Sequence, residues 1–143
     1  MLTKKKFYIL SFTWGILMTL IGFIVAAIFL LTKHKAHKNV YGWYFVTGKG
    51  WGGVDLGMIS IVNENPSRDL LNHEFGHAVQ NCYWGILFIP IIAIPSAVRY
   101  WYREYLVRFR NKNYWDLPDY DSIWFEGQAT NIGNEYYKNL KLN

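Results

Sequence analysis

From Phe7 to Leu31 the chain runs without a charged residue, FYILSFTWGILMTLIGFIVAAIFLL. About 20 consecutive apolar residues suffice to cross the hydrocarbon core of a bilayer. A stretch of this kind leaves two choices: a helix in lipid, or a helix buried in a core. A cleaved signal peptide has a shorter apolar region followed by small residues at a cleavage site. This run is longer and no such site follows, so the expectation is a retained transmembrane helix, a single-span anchor. Residues 1–38 then read as a basic head (Lys4, Lys5, Lys6), the anchor and a basic linker carrying Lys33, His34, Lys35, His37 and Lys38. Residues 39–143 read as one small domain.

Composition agrees with a membrane setting. The 143 residues are 52% hydrophobic and 19% aromatic, with a formal net charge of +5. With so few charges overall, a basic balance suits an anionic lipid surface better than nucleic acid, and no nucleic-acid-binding motif is present. Cys82 is the only cysteine. An internal disulfide and a thiolate-rich zinc site are therefore excluded.

Val40 to Thr47 is rich in aromatic and β-branched residues, and Val54 to Val62 is a second extended run. Gly48-Lys49-Gly50-Trp51-Gly52-Gly53 lies between them. The pattern predicts two antiparallel strands joined by a glycine-rich turn. Asn65-Pro66-Ser67 then starts a helix, with Asn65 or Ser67 as cap.

That helix carries His73-Glu74-Phe75-Gly76-His77. Residues i and i+4 share one helix face, so both imidazoles can reach one metal ion. Glu74 sits about 100° round the helix, where its carboxylate can take a proton from an activated water. A separate apolar stripe, Leu71, Phe75, Ala78, Val79 and Cys82, can dock on a core. Gly76 weakens the helix by about 1 kcal/mol against alanine, which close backbone approach would explain.

Two histidines leave zinc short of a ligand, because catalytic zinc sites use three protein ligands plus water. With no third histidine outside the linker, the ligand should be a carboxylate from Asp116, Asp119, Asp121, Glu126 or Glu135. Glu126 is preferred. It falls near the start of a last helix capped by Asp121-Ser122, beside the small residues Gly127 and Ala129.

His73-Glu74-Phe75-Gly76-His77 followed by Glu126-Gly127-Gln128-Ala129 resembles the gluzincin metallopeptidases, and is most similar to the membrane-bound branch with the HtpX-like and prenyl-protein endopeptidases. The resemblance implies His73, His77 and Glu126 as zinc ligands and Glu74 as catalytic base, in a zincin-like α+β domain. That family carries an aspartate after the alanine to support a histidine ligand. Thr130 stands there in this chain, and Thr130 or Asn131 is the candidate replacement.

Tyr83 to Val98 is uncharged, contains Pro90 and Pro95, and precedes a basic, aromatic helix from Arg99 to Lys112. If it crossed a bilayer, His77 and Glu126 would lie on opposite sides. The expectation is a re-entrant or interfacial segment, followed by a helix resting on anionic headgroups. The same basic run favours a cytoplasmic domain.

The expected function is a membrane-anchored zinc metallopeptidase acting on peptide or protein substrates. The alternative is a non-catalytic membrane protein that keeps zinc as a structural clip or partner-binding module. Tyr136 and Tyr137 are oxyanion-stabilising candidates by position alone.

Overall fold

The computed structural model describes residues 1–141. The fold is α+β, with a four-stranded mixed sheet and helices on both of its faces. The N-terminal apolar run forms two helices, α1 (Lys4–Phe12) and α2 (Ile16–Leu31), bent by 90° at the break. No single helix among the described residues is long and apolar enough to cross a membrane. The one continuous helix expected over this run is therefore replaced by a bent pair.

The cause of the bend lies far along the chain. Asn81 Nδ2 donates to Gly15 O at 3.2 Å, and Trp14 Nε1 donates to Tyr83 O at 3.3 Å. A methyl group on Gly15 would meet Asn81 Nδ2 at 2.6 Å, so the break is seated directly on a later helix. Phe7 is fully buried there, beside Phe75 and Tyr41. Burial of a side chain of that size stabilises by roughly 1.5–3 kcal/mol.

The strands are β1 (Ala36–Lys38), β2 (Trp43–Val46), β3 (Gly53–Leu56) and β4 (Ile59–Val62), in the order β1-β2-β4-β3. β2 runs parallel to β4, not antiparallel as the sequence reading expected. The hairpin lies instead within the second apolar run, between β3 and β4. Its loop is Gly57-Met58, with Gly57 at φ +79°; glycine first in a two-residue loop suits a type II′ turn. Asp55 Oδ2 accepts from Gly57 N at 2.9 Å and fixes that turn. β1 takes up residues expected in the linker.

The pleat gives the two sheet faces different partners. Gly22 of α2 packs on Ile59, while Gly53, on the opposite face, packs on Glu74 of α3 (Arg68–Trp84). Ser67 caps α3 by accepting from Leu70 N at 3.1 Å. The stripe of Phe75, Ala78, Val79 and Cys82 is buried in the main core with Phe7, Met58 and Tyr136.

After Trp84 the chain passes through a 3-10 turn at Gly85–Leu87 and a π-helical turn at Ile89–Ala93 into α4 (Ile94–Arg110). Residues 68–87 and 89–110 are bent by 118° against each other. A loop then leads to α5 (Trp124–Lys141). α5 crosses α3 with almost no space between the backbones. A Cβ on Gly76 would lie 1.9 Å from Ala129 O, and one on Gly133 would lie 1.9 Å from Asn72 O.

Candidate metal centre

The α3–α5 crossing sets three side chains against one another. His73 Nε2 and His77 Nε2 are 3.1 Å apart, and each is 3.1 Å from Glu126 Oε2. The three atoms form a nearly equilateral triangle. Ligands at zinc–nitrogen distance on a tetrahedral ion stand about 3.3 Å from one another, so the triangle matches one face of such a tetrahedron.

The outer hydrogen bonds test what the triangle can hold. Gln80 Nε2 donates to Phe125 O at 2.8 Å and to Gln128 Oε1 at 2.9 Å. This leaves Gln80 Oε1 as an acceptor, 2.8 Å from His77 Nδ1. His77 Nδ1 must therefore carry the proton, and in the neutral ring Nε2 presents a lone pair. That lone pair faces the Glu126 carboxylate, another acceptor. Glu126 is wholly buried, and its Oε1 has no hydrogen-bond partner. A lone pair facing a buried carboxylate fits a cation between them.

Thr130 Oγ1 lies 2.8 Å from His73 Nδ1, the place where a supporting oxygen is needed; Asn131 is exposed. Among the other carboxylates weighed, Asp121 lines the adjacent cleft. Asp116 bonds to Asn113 in a local turn.

Burial alone would raise the Glu126 carboxyl. Without a cation, donation from protonated imidazoles of His73 and His77 outweighs it and holds Glu126 well below the usual carboxylate range. Burial pulls His73 downward, and the charges of Glu126, Glu74 and Asp121 reverse this and leave it raised. Glu74 is 3% exposed, and its Oε2 is without a partner. Burial first, then the charges of Asp55 and Glu126, push its pKa up to about 8 against the opposing pull of His73.

His73, His77 and Glu74 line a cleft of about 610 Å³. One wall is β3, the outer strand of the sheet, from Gly53 to Leu56. The other wall is apolar, with Phe88, Ile92, Ala93 and Trp101. Gly53 lets the strand pass over Glu74, since a Cβ there would lie 2.5 Å from Glu74 Oε1.

Tyr136 and Tyr137 do not serve this cleft. The Tyr136 hydroxyl is bonded to both the N–H and the carbonyl of Leu2, and Tyr137 lies under Arg68. Tyr100 and Tyr120 both line the cleft; Tyr120, whose ring lies edge-on to His73, is the one the sequence reading missed. It sits in the irregular loop before α5, where no periodicity marks it. The available signal was an aromatic residue six positions before the carboxylate ligand candidate.

No family model, curated protein or solved structure matches this chain.

Proposed function

We propose that the chain is a membrane-attached, zinc-dependent peptidase. The observation that carries this reading is the convergence of His73 Nε2, His77 Nε2 and Glu126 Oε2 at 3.1 Å separations beside the unpartnered Glu74 carboxyl. Two imidazoles and a carboxylate in tetrahedral spacing suit zinc. A divalent ion in this triad supplies Lewis acidity, which acidifies water and polarises a carbonyl.

The remaining work falls to the chain. Glu74, whose ionised form a cation in the triad would favour, accepts the proton of the attacking water at Oε2 as the water oxygen bonds to the carbonyl carbon. The carbonyl electron pair moves onto its oxygen. When the pair returns, the C–N bond breaks and Glu74 passes the proton to the departing amine. The free edge of β3 suits an extended peptide, which adds to the sheet by backbone hydrogen bonds. Gln80 and Thr130 hold the two imidazole rings in register.

The membrane is the proposed setting. Leu17, Leu20, Ile21, Ile24 and Ile28 of α2 are exposed, and so are Val98, Trp101, Tyr102, Tyr105 and Phe109 of α4. The exposed Arg108 and Arg110 accompany the second group, as anionic headgroups would require. At about 1.5 Å per residue, the 16 residues of α2 fall short of a full hydrocarbon core. Tyr83–Val98 is proposed to enter the bilayer without crossing it, with the domain on the cytoplasmic side.

The triad joins α3 to α5, which favours one other reading: a structural clip without turnover. Glu74→Gln separates the two. A peptidase loses hydrolysis and keeps its metal. Absence of metal-dependent cleavage by the unmodified protein across a peptide library rejects the catalytic reading.

A further inference from the structure

The geometry points to Tyr120 as the hydrogen-bond donor that stabilises the carbonyl oxygen as it takes up negative charge. This rests on the peptidase reading of the His73, His77 and Glu126 site. Attack on a peptide carbonyl moves an electron pair onto oxygen, and a fixed donor aimed at that position lowers the barrier. Glu74 is committed to the proton of the water, so the donor must come from another element.

Tyr120 is placed for it. It lines the same cleft as Glu74 and His73, and its ring lies edge-on to the His73 imidazole at 6.3 Å between centroids. The residue is held from three sides. Arg99 Nη2 donates to Tyr120 O at 3.0 Å, to Asp119 O at 2.7 Å and to Ser122 Oγ at 3.0 Å. The guanidinium groups of Arg99 and Arg103 stand over the ring at 5.6 and 5.7 Å. The phenol oxygen lies 3.4 Å from Ser96 Oγ of α4. Backbone, ring and hydroxyl are each fixed, which is the preorganisation that such a donor needs.

Burial first, then the charges of Glu126 and Glu74, push the phenol up to about 12. A protonated phenol donates a hydrogen bond without transferring the proton. A tyrosine that only anchored the loop would need the arginine contacts but no access to the cleft.

The test uses full-length protein loaded with zinc and a phosphinic peptide, whose charged oxygens imitate the attacked carbonyl. Calorimetry should show binding to the wild type only when metal is present. Tyr120→Phe should bind the phosphinic peptide about 10- to 100-fold more weakly, with metal content and melting temperature unchanged. Its kcat should fall by about 10²- to 10³-fold, with KM within about twofold. Ser96→Ala, which frees the phenol, should weaken phosphinic binding by about 3- to 10-fold. Wild-type affinity and turnover in Tyr120→Phe would overturn the assignment and leave the peptidase reading standing. If Tyr120→Phe does not fold, unchanged phosphinic affinity in Ser96→Ala overturns it. A wild-type protein that binds neither zinc nor the phosphinic peptide removes the peptidase reading, and this assignment with it.

Discussion

Gly76 and Ala129 touch through their backbones: a Cβ built on Gly76 would sit 1.9 Å from Ala129 O. This contact fixes the distance between α3 and α5, and that distance sets Glu126 against the two histidines. Helix propensity alone makes Gly76→Ala stabilising by roughly 1 kcal/mol. The crossing reverses the sign. Gly76→Ala should destabilise by about 1–3 kcal/mol, as overpacking does, and should weaken metal binding. Urea denaturation and metal titration of the variant check both effects.

Gly53 plays the matching role on the sheet side. A methyl group there meets Glu74 Oε1 at 2.5 Å. Gly53→Ala should displace the carboxyl without touching a ligand of the triad. The expected result is retained metal content with kcat reduced at least about 10-fold, given the 10²- to 10³-fold or larger contributions usual for a general base. Steady-state kinetics beside metal analysis reads it out.

Thr130 supports His73 through a 2.8 Å contact between Oγ1 and Nδ1. Thr130→Val keeps the shape and removes the oxygen. Loss of such a partner typically lowers metal affinity by about 10- to 100-fold. Thr130→Ser should stay close to wild type. Competition titration with a chromophoric chelator distinguishes the two variants.

Asp55 gives the fold a pH dependence. Its carboxyl is 5% exposed and is raised well above 3.8, because burial outweighs its bonds to Gly57 and Ser60. The native state therefore holds this proton more tightly than the unfolded chain does. Stability from this group is complete below about pH 4 and is lost as pH rises through the raised native value. Asp55→Asn should flatten that decline relative to wild type. Melting temperatures of both proteins across the acid to neutral range provide the comparison.

The parts of the molecule legible in the sequence are those set by local pattern. Ser67 as cap, the docking stripe through Phe75 and Val79, and Gly76 as a point of close approach follow from helical spacing. Glu126 was preferred among five carboxylates for its place early in the last helix beside small residues, and its Oε2 lies 3.1 Å from both imidazoles. Gly127, chosen with Ala129 as the small residue at the crossing, packs instead toward Asp121 O, and Gly133 takes the helix contact. The rest depended on contacts distant in sequence. Nothing between Phe7 and Leu31 announces that Asn81 and Trp14 will hold a 90° break. Gly57 is a single glycine in an apolar run, beside a richer glycine cluster that drew the turn to the wrong place. Tyr120 is defined by Arg99, Arg103 and Ser96 on another helix, and no spacing rule connects them.

The most direct test is the metal content of purified full-length protein, stripped with chelator and reloaded with zinc, beside Glu126→Ala treated in the same way. The account predicts about one tightly held ion per chain for the wild type and loss of most of that binding in the variant. Equal retention by both proteins, or none by the wild type, would contradict it.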